Sequence, residues 1–142
     1  MLASDVPPAV RRHLLACCAF VALAATAGSL YFSEIAGLFP CELCWYQRIL
    51  MYPLVVVLGV AAYEGYTGAW KMGLPLSALG VVVATQHTLL QAGFLPESAD
   101  TCGIGCRGVD WQVSVFTIPR LSLIAFLLIT AGLVGVAFLD RR

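Results

Sequence analysis

Charge is scarce in this chain. Only 11% of its 142 residues are Asp, Glu, Lys or Arg, whereas a soluble domain carries roughly 25%. The eight basic and eight acidic residues cancel. Neither sign forms a block, which excludes a basic nucleic-acid surface and an acidic disordered tail. Repeats and low-complexity segments are missing too, so a single domain is expected. Apolar residues fill the chain instead: 61% are hydrophobic, the composition of an integral membrane protein.

The apolar residues fall into four runs, expected as spans 14–33, 45–63, 72–95 and 121–139. Each is close to the ~20 residues that carry a helix across a ~30 Å hydrocarbon core. Helices are required, because lipid offers no partner to an open N–H or C=O. Pro53 and Pro75 lie inside two runs and are tolerable where neighbouring helices take up the freed groups. Gly59, Gly80, Gly132 and Gly135 let helices approach closely.

Positive charge sets the orientation. One side holds Arg11, Arg12, Lys71, Arg141 and Arg142; the other holds Arg107 and Arg120, with Arg48 at the boundary. The first side is expected to be cytoplasmic. The expected architecture is an all-α bundle of four transmembrane helices in the cell membrane. Both termini face the cytoplasm, and two short extracytoplasmic loops carry cysteines. A competing reading takes Arg11, Arg12 and the following LLACCAFVALAATAG as a secretory signal with Ala25-Thr26-Ala27 as its cleavage site. The apolar run continues to Tyr31, longer than a usual signal core. Removing it would also put the two cysteine pairs on opposite sides.

Cysteine is abundant where charge is not. Four of the six cysteines form two close pairs: Cys41 and Cys44 in PCELCWYQR, and Cys102 and Cys106 in ESADTCGIGCRGVDW. The outer face of a cell membrane is where disulfides persist. Either pair can close a small ring. Small exposed rings are labile and suit exchange, and closing so short a loop adds little stability. Cys17 and Cys18, inside the first run, read as small core or lipid-facing residues.

Pro40 suits the entry to a helix. A helix starting near Cys41 sets Cys41, Cys44 and Arg48 at i, i+3 and i+7, on one face. A helix N-terminus and a nearby Arg both stabilise a thiolate, the reactive form of cysteine. Arg48 is expensive in hydrocarbon and is a functional candidate for that reason. Its guanidinium can donate to a ligand carbonyl; the plainer alternative is that it snorkels to the interface. His87 lies toward the outer end of the third run, flanked by Gln86 and Gln91. It reads equally as a ligand contact or a hydrogen-bonded packing residue. Together these residues predict a polar patch near the outer boundary, with room for a lipid-soluble, carbonyl-bearing molecule. Trp45, Trp70 and Trp111 fit an interfacial aromatic belt, and residues 113–118 are expected to lie along the outer surface.

PCELCWYQRILMYPL, followed by ATQHTLLQ in the third run, resembles the DsbB/BdbC family of membrane thiol:quinone oxidoreductases. The resemblance covers nearly the whole chain. Its most specific element is Cys-x-x-Cys, two aromatics, then Gln47-Arg48 at the entry to the second span. The tight spacing of Cys102 and Cys106 resembles the compact BdbC-type branch. It departs from the wide second pair of other members, which bears on how the second loop docks a partner.

The family implies a relay. A reduced extracytoplasmic thioredoxin-fold, DsbA-like carrier attacks the Cys102–Cys106 disulfide at Cys102. Freed Cys106 attacks the Cys41–Cys44 disulfide at Cys41. Cys44 is left as the thiolate that passes electrons to a membrane quinone, ubiquinone or menaquinone. By the same resemblance Arg48 stabilises that thiolate and the reduced quinone. His87 matches a quinone-side histidine, and Trp45 and Gln47 are further candidates for the quinone site. Partners are the carrier and membrane lipid, with no nucleic acid. Oxidising thiol carriers sit near about −120 mV, so the acceptor must be more oxidising still; a quinone is such a group.

Two rivals stand beside this reading. A non-catalytic scaffold with structural disulfides has no need of Arg48 a turn below a cysteine pair. A metal site could draw on four cysteines, but an oxidising surface and the Arg48 cation argue against one, and no metal is expected. Within the enzymes, a vitamin K epoxide reductase-like protein would carry its quinone-facing pair near the last helix, and here the fourth span contains no cysteine.

Overall fold

The computed structural model describes residues 7–96 and 112–142. Four helices carry the chain: α1 (Pro8–Leu30), α2 (Glu42–Glu64), α3 (Trp70–Gln91) and α4 (Ile118–Arg141). All four are long and apolar enough to cross a membrane. α1 starts at Pro8, ahead of the apolar run, because proline in the first turn gives up an N–H that would be unpaired anyway. It continues through a π-helical turn, Tyr31–Ile35, so helix fills part of the expected first loop. α2 stops at Gly65, whose φ of 73° is left-handed, a conformation glycine takes without strain. A 3-10 turn at Thr67–Ala69 leads directly into α3. The run before α4, expected along the outer surface, is a small hairpin, with β1 (Gln112–Val113) paired antiparallel to β2 (Phe116–Thr117).

Each helix packs on its neighbours in sequence, and α4 returns to α1. Short connections make such neighbours antiparallel. On α2 the buried stripe is Leu43, Gln47, Met51, Leu54, Leu58 and Ala61, the three-and-four spacing of one helix face. The facing stripe on α3 is mostly small: Gly73, Ser77, Gly80 and Ala84, then His87 and Leu90. Small residues allow close helix contact. A Cβ at Gly80 would fall inside the ring of Phe126 on α4. Cys18 is buried against α4, its thiol directed at the Ile129 carbonyl at 3.8 Å, while its neighbour Cys17 is exposed.

Leu23, Val56, Leu79, Val82, Leu127 and Phe138 point outward and are exposed. An apolar belt of that extent marks a surface meant for a non-aqueous neighbour. With the four spanning helices, it makes the chain a multi-pass membrane bundle.

One end of the bundle holds the N-terminus of α1 and the C-terminus of α4, and side chains tie it together. Arg12 donates from Nε to the Ala62 carbonyl at 2.9 Å and from Nη2 to that of Tyr63 at 3.1 Å. Arg11 donates to the Leu139 carbonyl at 3.4 Å. These are last-turn carbonyls with no partner inside their own helices. Asp140 accepts from Thr67 Oγ1 at 2.7 Å and from Trp70 Nε1 at 3.1 Å. The Trp70 ring faces the Arg141 cation at 5.2 Å and the Lys71 cation at 5.8 Å.

Candidate redox site

The opposite end is built around the start of α2. Cys41 is the N-cap residue, extended at φ −71° and ψ 173°, and its carbonyl accepts the Trp45 N–H at 3.1 Å. Cys44 lies in the first helical turn. The two sulfurs are 3.1 Å apart, within hydrogen-bonding distance. The pair therefore stands at the positive end of a helix, among N–H groups without intrahelical partners.

His87 reaches the pair from α3. Its Nε2 lies 3.7 Å from Cys41 Sγ, and its Nδ1 lies 3.1 Å from Gln47 Nε2. His87 is 1% exposed and Gln47 6%, so the dyad fills the seam between α2 and α3. The Cys44 thiol donating to Cys41 holds the Cys41 thiol down at about 4, with His87 assisting and burial opposing. At neutral pH the reduced pair is thus a thiolate at Cys41 hydrogen-bonded by the thiol of Cys44.

Arg48 is turned differently from the expected alignment on the thiols. Its Nε donates to Ser29 Oγ at 2.9 Å and its Nη2 to the Ser29 carbonyl at 3.0 Å. Arg48 lines the same cavity as Cys41 and Cys44, with its guanidinium fixed from α1. Nη1 has no hydrogen-bond partner among the described residues. Trp45 is half exposed and lies outside the cavity wall; its ring stacks on the Arg48 guanidinium at 5.3 Å. Gln47 reaches the cavity too, but its amide is committed to His87.

A cavity of about 370 Å³ opens beside the pair, with walls from all four helices. Cys41, Cys44, Arg48, His87 and Gln91 supply its polar lining. Gly28, Phe32, Met51, Ala125 and Leu128 contribute to its apolar lining. No carboxylate lines it among the described residues. Ser29 and the α4 residues Pro119 and Ser122 also face this space. Sequence reasoning did not single them out, because nothing local marks a serine on an apolar helix as the anchor of an arginine from another. Cys102 and Cys106 lie outside the described residues.

A four-helix membrane bundle with a stabilised thiolate opening on an apolar cavity defines a membrane-embedded dithiol protein. The chain belongs to the DsbB family: the family model described as "Disulfide bond formation protein DsbB" matches residues 11–136. Membership makes it an oxidoreductase of disulfide bond formation. Among similar proteins, "Disulfide bond formation protein C" of Bacillus subtilis is 50% identical over 113 residues, covering 77% of this chain and 81% of that one. A "Probable disulfide formation protein" of Deinococcus radiodurans is 47% identical over 123 residues, covering 78% and 80%. Another of that description, from Metapseudomonas resinovorans, is 37% identical over 132 residues, covering 90% and 92%. No solved structure matches the chain.

Proposed function

We propose that the chain oxidises a reduced thioredoxin-fold dithiol carrier outside the cell membrane and delivers the electrons to a membrane quinone. The observation that carries this reading is the cavity. It is lined by a dithiol, a cation and a histidine, it is otherwise largely apolar, and its volume lies in the ~300–1,000 Å³ range of small-molecule sites. A quinone ring with two carbonyl oxygens suits such a lining. Arg48 Nη1 is left to donate to one oxygen, while Ser29 fixes the rest of the guanidinium. The bound quinone would supply the two-electron sink.

The chain's own residues then do the following. The carrier's thiolate attacks the Cys102–Cys106 disulfide, and Cys106 leaves as a thiolate. Cys106 attacks Cys41 Sγ, the Cys41–Cys44 bond breaks, and Cys44 departs with the electron pair. The helix N-terminus favours that charge. His87, held by Gln47, faces the thiolate that appears on Cys41 once the pair is reduced. The carrier's second thiol displaces Cys102, closing the carrier's disulfide, and Cys102 attacks Cys106 Sγ, which re-forms the Cys102–Cys106 disulfide and releases Cys41. Each turnover thus converts one carrier dithiol to a disulfide, and two electrons and two protons leave the Cys41–Cys44 pair. The cysteine end faces outward on this reading, and the end with Arg11, Arg12, Lys71 and Arg141 faces the cytoplasm.

The test is quinone reduction by the purified chain in detergent, with a reduced thioredoxin-fold carrier as donor and ubiquinone and menaquinone analogues tried separately. The native chain is expected to turn over, Cys44→Ser to be inactive, and Arg48→Ala to need much more quinone. Absence of dithiol-dependent reduction with both quinone classes sinks the proposal.

A further inference from the structure

Cys41, Cys44 and His87 each present a donor atom within 4.8 Å of the other two. A tetrahedral zinc-type site has sulfur–sulfur edges of about 3.8 Å and sulfur–nitrogen edges of about 3.6 Å, from its bond lengths. Here the sulfurs are 3.1 Å apart and Cys41 Sγ lies 3.7 Å from His87 Nε2. The Cys41–His87 edge already matches, the sulfurs need to open by about 0.7 Å, and the third edge, Cys44 to His87, lies within 4.8 Å.

We propose that the reduced Cys41–Cys44 pair and His87 Nε2 form a three-point site for a soft divalent cation of the Zn²⁺ or Cd²⁺ type, with its fourth position open to the cavity. This rests on the pair and the histidine alone and needs neither quinone nor carrier.

Two features make this more than a cluster. Gln47 secures the far side of His87, and an amide can serve either tautomer. As placed, its NH₂ faces Nδ1 at 3.1 Å, which leaves an Nε2–H for the Cys41 thiolate. Turned over, its carbonyl accepts Nδ1–H and the Nε2 lone pair is free to coordinate, the usual outer-sphere arrangement of a metal-bound histidine. The donor set is two sulfurs and one nitrogen with no carboxylate among the described lining residues. Such a set selects soft or borderline ions over Mg²⁺ and Ca²⁺.

Binding forms two metal–sulfur bonds, releases the one S–H proton that the reduced pair retains, and moves no electrons. It requires thiolates, so it excludes the disulfide. A bound cation therefore holds the pair reduced and out of exchange.

The test uses the full-length chain carrying Cys102→Ser and Cys106→Ser, reduced in detergent and titrated with Cd²⁺. The readings are the ultraviolet sulfur-to-cadmium band and the protons released. One Cd²⁺ per chain is expected, with one proton released near neutral pH and no competition from excess Mg²⁺ or Ca²⁺. His87→Ala is expected to weaken binding at least about tenfold. Oxidising the Cys41–Cys44 pair in the chain with His87 intact is expected to abolish the band. That arm decides the matter even where His87→Ala does not fold. Lack of a band, a band indifferent to His87→Ala, or a band surviving oxidation, which would assign it to Cys17 and Cys18, overturns the proposal. Quinone reduction is read separately without metal, so failure here leaves the relay standing.

Discussion

The two ends of the bundle treat their helix termini in opposite ways. At the basic end, side chains close the termini: Arg12 covers the last carbonyls of α2, Arg11 reaches that of Leu139, and Asp140 joins α4 to Thr67 and Trp70. At the cysteine end α2 begins with no side-chain cap, and a cavity occupies the space beside it. Orphan N–H groups that a serine or aspartate would ordinarily satisfy are left to act on sulfur. One end spends its polar groups on holding helices together, the other on an anion.

The contrast breaks most visibly at Cys44. Removing its thiol takes away the leading stabiliser of the Cys41 thiolate. The sign is that of a depressed acid: in the native pair the thiolate forms above about 4 and is lost as pH falls through that value. In Cys44→Ala the transition moves up toward the ordinary 9.0. At pH ~6 the thiolate fraction of Cys41 should fall up to about 1,000-fold, but the higher intrinsic nucleophilicity of a more basic thiolate offsets most of this, so the alkylation rate should fall about 3–10-fold. Alkylation measured against pH with Cys102 and Cys106 replaced by serine reads this directly. An unchanged rate would mean that the helix terminus and His87 suffice.

A smaller effect is expected at the other end, and of a different kind. Arg12→Ala removes two exposed hydrogen bonds to the α2 carbonyls, which together contribute about 1 kcal/mol. Thermal unfolding in detergent should shift down while the alkylation profile of Cys41 stays where it is. A shifted profile would show that the ends are coupled through α2 and that the division of labour is wrong.

Much of this was legible beforehand. Four apolar runs of spanning length give four helices because lipid allows little else, and the Cys-x-x-Cys, aromatic, Gln-Arg entry to α2 points to the family. The Gln47–His87 contact was also readable in principle. Gln47 falls in the stripe of Leu43, Met51 and Leu54, and His87 follows Gly80 and Ala84 at heptad-like spacing, so two polar residues occupy facing seams. The direction of Arg48 was not readable. One residue beyond Gln47 turns its side chain about 100° away from the α3 seam. Which neighbour it then meets depends on how α1 packs, through Ser29, a residue with no local signal.

Ser29 offers the finest test, because it separates anchoring from charge. Ser29→Ala removes the acceptor at Arg48 Nε but keeps the backbone carbonyl at Nη2. The cation stays in place with a looser fork, and a neutral hydrogen bond of about 1 kcal/mol is at stake. On the proposed relay the quinone KM should rise about threefold, kcat should hold, and the Cys41 alkylation profile should not move, since the thiolate depends on Cys44 and His87. A fall in kcat with KM unchanged would instead place Arg48 in the electron-transfer step, with Ser29 setting its distance from the thiols. The cavity would then act on the chemistry as well as on binding.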